Sequence, residues 1–156
     1  MEERELLQSG FRYALSLTHN EHEAEDLVQD VWLKLYINSN NEKSKPLFFT
    51  AIRNLFIDRY RRKNLIAMEQ LDENEVIDEK LPDITNKDIE KCLEKLRPEE
   101  REVLFLNGVE EYTAEEIAGI TMQSRSTVLS LLSRGKKKFI NTYNYLHKES
   151  AGQRLK

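Results

Sequence analysis

Apolar residues recur at intervals of three and four along most of the 156-residue chain. That spacing gathers them on one face of an α-helix, whereas a half-buried strand needs strict alternation. Glycine and proline number only 5 and 3, so few positions favour the tight turns of a sheet protein. The sequence therefore predicts an all-α fold whose helices are joined by short connections.

Three helices are predicted in the N-terminal part of the chain. The first extends from Glu2 to about Leu17. The second follows Asn20, a predicted N-cap, with Glu23 as its capping-box partner. The third follows Pro46, and its predicted inward face carries Ala51, Ile52, Leu55, Phe56 and Arg59. The apolar stripes of the three helices predict one shared core.

The helical period is lost after the third helix and returns in the C-terminal part. Residues 65–85 are acidic and contain a proline, which predicts a linker between small helical domains at 1–64 and 86–148. Residues 149–156 are a predicted tail.

The C-terminal domain carries a helix-turn-helix pattern. Pro98 suits the first turn of one helix, Thr113 and Glu116 form a predicted capping box, and Ser124 is a predicted cap of the last helix. A short capped helix, a turn and a longer helix with polar and basic residues at its start are typical of this DNA-binding motif.

Charge is segregated along the chain. The net charge of −4 argues against nucleic acid when taken alone. However, residues 45–64 are predominantly basic, residues 69–90 are predominantly acidic, and residues 122–148 contain basic residues and no acid. Local sign decides which surface can approach phosphate. We expect two phosphate-binding surfaces, and an acidic stretch that keeps the free chain off DNA.

Several other functions are not indicated. His19 and His22 have no third metal ligand nearby, and no catalytic constellation or Gly-rich phosphate loop is present. We therefore expect no enzyme activity, metal or cofactor. The lone Cys92 fits a reducing, cytoplasmic setting, and its apolar helix face predicts a buried small hydrophobe. No secretory signal is visible and no apolar run approaches the roughly 20 residues of a membrane span, so no membrane insertion is expected.

Five segments over about residues 5–140 together resemble a known family. They are HEAEDLVQDVWLKLY, FFTAIRNLFIDRYRR, LRPEEREVLFL, EEYTAEEIAGI and STVLSLLSRGKKKF. In this order they are similar to the extracytoplasmic-function (ECF) sigma factors of bacterial RNA polymerase. The resemblance implies two helical domains, the sigma region 2 bundle and the sigma region 4 helix-turn-helix, on an acidic linker. It implies an alternative sigma factor that binds the clamp helices and flap of core RNA polymerase and both double- and single-stranded promoter DNA.

The resemblance also implies roles for individual residues. Candidate contacts to core polymerase are Asp26, Leu27, Gln29, Asp30 and Leu33. Candidate contacts to the promoter minus-ten strand are Asn38, Ser39, Asn40, Asn41, Lys45, Arg53, Asn54, Arg61, Arg62 and Lys63. Candidate contacts to the minus-thirty-five element are Ser124, Arg125, Ser126, Thr127, Ser130, Arg134, Lys136, Lys137 and Lys138. Asp58 is instead expected to pair with Asn54 or Arg62, one helical turn away.

The C-terminal domain departs from the family pattern. Met122 and Ser126 stand where the family usually has glycine, and Leu129 and Leu131 stand where it often has Lys and Arg. These departures predict a weakened minus-thirty-five readout. They also suggest that both leucines pack on an accessory DNA-targeting partner or on an anti-sigma factor. Two alternatives stay open, a sigma-like protein that titrates an anti-sigma factor and a plain helix-turn-helix regulator.

Overall fold

The computed structural model describes residues 2–37, 42–67 and 86–154, and every regular element in those ranges is a helix. The predicted all-α class is therefore confirmed. Most of the predicted acidic linker and the candidate minus-ten residues Asn38, Ser39, Asn40 and Asn41 lie outside the described ranges. The chain divides into two compact units, one over residues 1–77 with 118–122 and the other over 78–117 with 123–156.

Helices α1 to α3 build the first unit. They are α1 (Glu3–Thr18), α2 (Glu21–Trp32), which continues into a π-helical turn (Leu33–Ile37), and α3 (Lys45–Ala67). The predicted cap of α2 is confirmed, because Asn20 Oδ1 accepts a hydrogen bond from the Glu23 amide at 3.0 Å. Helix α1 ends at His19, whose φ of 51° is left-handed and stops the helical hydrogen-bond pattern.

Aromatic rings fill the core of the first unit. Tyr13, Phe48, Phe49 and Ile52 are fully buried. The Tyr13 and Phe49 rings stack with centroids 4.6 Å apart, and Trp32 meets Phe48 edge to face at 5.7 Å. Such pairs add to the stabilisation from burying apolar area. The core therefore ties α1, α2 and α3 together, as the shared apolar stripes predict.

Gly10 lets α1 and α3 approach closely. A Cβ atom at this position would lie 2.3 Å from Cε2 of Phe48, which is well inside van der Waals contact. Only a hydrogen atom fits between the α1 backbone and the Phe48 ring.

Helices α4 to α7 follow in the C-terminal part. They are α4 (Asn86–Glu94), α5 (Pro98–Gly108), α6 (Ala114–Thr121) and α7 (Arg125–Arg154). Their predicted caps are confirmed. Thr113 and Glu116 bond reciprocally at 3.0 and 3.2 Å, and Ser124 Oγ accepts from the Thr127 amide at 3.1 Å.

Buried groups fix α4, α5 and α7 against one another. The side chains of Val103, Leu106 and Val128 are fully buried. The buried guanidinium of Arg101 donates to the carbonyls of Leu93 at 3.3 Å and Leu96 at 2.9 Å. It therefore ties α5 to the last turn of α4 and to the connection that follows α4.

Cys92 is fully buried, as its position on an apolar helix face predicts. Desolvation raises the pKa of its thiol, and the nearby Asp88 carboxylate raises it further. Reactivity requires the thiolate, so this thiol is an inert part of the core.

The turn between α6 and α7 retains the backbone conformation that glycine favours. Met122 has φ of 55° and its side chain is 72% exposed. A left-handed conformation costs a residue with a Cβ roughly 1 kcal/mol. Met122 therefore adopts here, at a modest cost, the left-handed conformation that glycine would adopt freely.

Within residues 2–37, 42–67 and 86–154, no helix is both long enough and apolar enough to cross a bilayer.

Gly10→Ala is expected to lower the free energy of unfolding of the first unit by about 1–3 kcal/mol, because the added methyl overpacks Phe48. The single tryptophan, Trp32, borders this core, so its fluorescence during urea unfolding reports the change. Gly119→Ala is the matched control, since a Cβ there meets nothing within 4 Å. We expect that helical substitution to be neutral or to stabilise by about 0.5–1 kcal/mol. Equal effects of the two substitutions would contradict the close approach.

Candidate nucleic-acid and partner interface

Helix α2 presents a mixed polar and apolar surface next to its buried stripe. Gln29 is exposed, and Leu33, the first residue of the π-helical turn, is 54% exposed. The side chains of Asp26 and Asp30 are 65% and 36% exposed. Four of the five candidate polymerase contacts are thus accessible to a partner.

Leu27 is the exception and requires a correction. Its side chain is only 2% exposed and belongs to the core. A side chain buried in the core cannot meet a rigid partner surface without unfolding its own helix bundle. Leu27 therefore packs α2 against the core and is not a contact to core polymerase.

Arg59 holds both aspartates of α2 from the facing helix. Its Nη1 donates to Asp26 Oδ2 at 2.9 Å, and its Nη2 donates to Asp30 Oδ2. Sequence reasoning assigned no partner to Arg59, although it placed this basic residue on the inward face of α3. Asp26 and Asp30, four residues apart, form one ridge of α2, and a planar guanidinium is suited to two carboxylates.

Two further ion pairs occupy candidate DNA-binding residues. Lys63 Nζ lies 3.1 Å from Glu23 Oε1, which extends the contact between α3 and α2 by one turn. Arg62 pairs with Asp58 at 3.3 Å within α3, which confirms that Asp58 pairs locally. These side chains remain largely exposed.

The outer surface of α3 combines basic, amide and aromatic groups. Asn54 and Arg61 are exposed and Arg53 is half-buried. The rings of Phe56 and Tyr60 lie 5.8 Å apart, and Tyr60 is 47% exposed. Phe56 is half-buried, so the expectation of a core residue is only partly met. Rings beside cations are the groups that bind unpaired bases and phosphates.

A second aromatic cluster forms where α2 ends and α3 begins. Tyr36 packs against Trp32 at 4.7 Å and Phe48 at 5.9 Å, and Lys43 Nζ lies 5.9 Å from the Trp32 ring. Desolvation raises the pKa of the Tyr36 hydroxyl. Sequence reasoning missed this cluster. Its signal was available in the aromatic residues at positions 32 and 36, one helical turn apart.

The start of α7 exposes four of the candidate minus-thirty-five residues, Ser124, Arg125, Ser126 and Thr127. Two of their hydroxyls already bond to each other, because Ser124 Oγ and Thr127 Oγ1 are 2.8 Å apart. Arg125 lies 3.9 Å from Glu115. Further along the helix Ser130, Arg134, Lys136 and Lys137 are exposed.

Lys138 also requires a correction. Its Nζ lies 3.0 Å from Oε1 of Glu100, whose side chain is only 1% exposed. Desolvation raises the pKa of Glu100, but the Arg97 amide and the Lys138 ammonium outweigh it, so the net pKa is lowered. Because the ammonium compensates a buried carboxylate, Lys138 serves the core and is not a free phosphate contact.

The two leucines of α7 are not equivalent. Leu131 is 6% exposed, whereas Leu129 is 43% exposed. The expectation that both pack on a partner is therefore wrong for Leu131, which is already buried. Only Leu129 remains accessible.

Metal chemistry finds no support among the described residues. No group of three or more metal-ligating side chains comes together there, and that search includes His19 and His22.

Comparison with known proteins agrees with this arrangement. The model for Sigma-70 region 2 matches residues 4–66, and the model for Sigma-70, region 4 matches residues 86–139. The ECF RNA polymerase sigma factor SigE of Mycolicibacterium smegmatis is 28% identical over 153 residues, 90% of this chain and 58% of SigE. SigM of Bacillus subtilis is 27% identical over 86% of this chain and 88% of SigM. The chain belongs to the ECF sigma factor family.

A solved sigma factor structure has a similar fold. The sigma factor RpoE of Bartonella quintana, in complex with the anti-sigma factor NepR, aligns with a TM-score of 0.68 at 25% identity, over 93% of each chain. The chain described here spans only 58% of the length of SigE. The sigma factors are transcription factors and not a family of enzymes.

Lys138→Gln is expected to lower the free energy of unfolding by about 1–3 kcal/mol at pH 7, because Glu100 loses a partner while still buried. The measurement is urea unfolding followed by circular dichroism. Lys137→Gln removes the same charge from an exposed neighbour and should have little effect.

The Lys138 effect should depend on pH. The pKa of Glu100 is lowered in the folded chain, so its stabilisation is present above the unfolded pKa and is lost as pH falls through the folded value. The difference between the wild-type chain and Lys138→Gln should therefore shrink in acid. A difference that stays constant from neutral pH to below pH 4 would contradict this ion pair.

Proposed function

We propose that this chain is an alternative sigma factor that binds core RNA polymerase, opens promoter DNA and directs transcription initiation. The observation that carries the proposal is the pairing of two surfaces in the first unit. Helix α2 offers a ridge of Asp26, Gln29, Asp30 and Leu33, and Arg59 joins this ridge directly to the basic and aromatic surface of α3. One small helix bundle thus offers a docking surface and a strand-binding surface together.

The docking step uses α2. Gln29 and Leu33 are exposed and can be desolvated by a partner without disturbing the core. Asp26 and Asp30 each accept from Arg59 through one oxygen, and a carboxylate can accept further bonds. In this proposal the ridge contacts the clamp helices of core polymerase, while the C-terminal unit contacts the flap.

The strand-opening step uses α3. Asn54 and Arg61 are exposed side chains that can bond to bases and phosphates, and Tyr60 offers a ring on which an unpaired base can stack. Arg53, Arg62, Lys63 and Lys45 extend the basic surface. Unpairing costs a few kcal/mol per base, which capture of an extruded base offsets.

The C-terminal unit positions duplex DNA. Arg134, Lys136 and Lys137 are exposed along α7 and are suited to backbone phosphates. Arg125, Ser126 and Ser130 remain candidates for base edges, because the Ser124 and Thr127 hydroxyls already bond to each other. In this proposal region 2 occupies residues 1–64, an acidic linker 65–85, region 4 residues 86–148, and a tail 149–156.

Further parts of the proposal concern setting and partners. The chain acts in the cytoplasm, where its polymerase is, and has no catalytic activity or cofactor of its own. The RpoE relative was solved with the anti-sigma factor NepR, and the exposed Leu129 gives an anti-sigma factor or a DNA-targeting partner an apolar contact. That exposure also favours the second candidate function, a sigma-like protein that titrates an anti-sigma factor.

Run-off transcription on genomic fragments, with purified core polymerase and with or without this chain, separates the two functions. A sigma factor produces defined transcripts that depend on the chain. A titrating protein produces none, although it still captures an anti-sigma factor. Failure to co-purify with core polymerase would instead favour a helix-turn-helix regulator.

The double variant Gln29→Ala with Leu33→Ala is expected to weaken binding to core polymerase at least ten-fold, because central exposed contacts carry most of an interface's binding free energy. Helicity should not change, since both side chains are accessible in the free chain. The control, Gln8→Ala with Leu47→Ala, removes the same side-chain types from exposed positions of the first unit. Equal affinities for the two double variants, measured by surface plasmon resonance, would contradict the assignment.

Asn54→Ala and Arg134→Ala are expected to affect promoters differently. Loss of a base contact costs about 1–3 kcal/mol at one position, whereas loss of a phosphate contact weakens all sequences alike and lowers the salt slope by about one. Transcription from a randomised promoter library should therefore show an altered minus-ten preference for Asn54→Ala and a uniform loss for Arg134→Ala. If Asn54→Ala keeps the minus-ten preference while Arg134→Ala or Arg125→Ala changes the upstream preference, α7 and not α3 is the main reader of base sequence.

A further inference from the structure

Acidic side chains of α2 face basic side chains of α3 in register. Arg59 binds Asp26 at 2.9 Å and also Asp30, and Lys63, one turn further along α3, binds Glu23 at 3.1 Å. Three carboxylates of one helix are therefore matched to two cations of the other. The contacts run along the helices as a ladder of charges.

This ladder lies at the surface. The side chains of Lys63 and Glu23 are 72% and 47% exposed, and those of Arg59 and Asp26 are 37% and 65% exposed. Exposed ion pairs contribute little to folding stability. Their larger effect is on the potential at the surface, because a cation with a carboxylate about 3 Å away attracts phosphate less than an isolated cation does.

The basic residues of α3 divide by their surroundings. Arg59 and Lys63 lie against carboxylates of α2, and Arg62 has Asp58 on its own helix. Arg61 is exposed and has no ion pair within the described part of the chain. The carboxylates of α2 therefore lower the attraction of α3 for phosphate at chosen positions, not uniformly.

We propose that the carboxylates of α2 form an intramolecular counter-charge that competes with nucleic-acid phosphate for Arg59 and Lys63. The inference rests on the proposed function, in which α3 binds the promoter strand and Asp26 and Asp30 dock on core polymerase. A partner that binds these aspartates weakens their hold on Arg59. Docking and nucleic-acid binding then favour each other by the same factor, as linkage requires.

The test is binding of a fluorescent single-stranded DNA oligonucleotide of mixed sequence to the full chain at low ionic strength. Glu23→Gln frees Lys63, and Glu21→Gln removes an equal charge from an exposed position in the same first turn of α2. We expect Glu23→Gln to tighten binding about two- to five-fold beyond Glu21→Gln, the range set by one exposed ion pair. The extra gain should disappear in a Lys63→Gln background.

Two outcomes would overturn the counter-charge. One is an equal gain for Glu23→Gln and Glu21→Gln, which would reflect net charge alone. The other is an extra gain for Glu23→Gln that persists in the Lys63→Gln background, which would show that Glu23 does not act through Lys63.

A second cycle tests the guanidinium end of the ladder. The double change Asp26→Asn with Asp30→Asn should tighten oligonucleotide binding in the free chain, and this gain should be smaller in an Arg59→Gln background. An undiminished gain in that background would overturn the competition at Arg59.

These measurements separate the counter-charge from the proposed function. Oligonucleotide binding uses the free chain and needs no polymerase. The wild-type chain could support run-off transcription while neither mutant cycle shows coupling. That result would support the sigma function and rule out the counter-charge. Coupling in both cycles without run-off transcripts would retain the competition with phosphate and remove its link to polymerase docking.

Discussion

The contact between the Gly10 backbone and the Phe48 ring determines where α3 lies in the first unit. Because no Cβ separates them, α3 packs close to α1, and Phe48 and Phe49 both reach the core. The same placement puts the C-terminal half of α3 beside α2. Arg59, three turns of α3 beyond Phe48, then meets Asp26 and Asp30. A steric constraint at one end of α3 thus places the charges at its other end.

Burial decides what otherwise similar ion pairs do in this chain. Lys138 and Glu100 lie 3.0 Å apart, and Lys63 and Glu23 lie 3.1 Å apart. The Glu100 carboxylate is desolvated, so loss of its lysine leaves a buried charge that water cannot reach. The Glu23 carboxylate is hydrated, so its lysine can exchange it for another anion at little cost. The first pair is therefore part of the fold, and the second can take part in binding.

Local interactions made much of this fold readable from sequence. Capping residues and helix starts depend on neighbours within four positions, which explains why Asn20, Thr113 and Ser124 were identified correctly. Contacts between helices were harder to predict from the sequence. The pairing of Arg59 with two aspartates depends on the relative rotation of α2 and α3, which no local pattern encodes. The burial of Leu27 depends on how α2 packs in the first unit, whereas the burial of Leu131 and the pairing of Lys138 with Glu100 depend on how α7 packs in the second. These are the three motif positions whose roles needed correction.

The number of side chains at the start of α7 that are free to contact bases limits how α7 can recognise a DNA sequence. The Ser124 hydroxyl caps the helix by accepting from the Thr127 amide, and it is also hydrogen-bonded to the Thr127 hydroxyl. Leu131 is buried. Arg125 has a carboxylate 3.9 Å away, so its guanidinium has to exchange one anion for another. Ser126 and Ser130 are short and can reach only base edges that approach the backbone closely. Few long, uncommitted donors remain at the start of this helix, which favours specificity that comes mainly from the bases captured by the first unit.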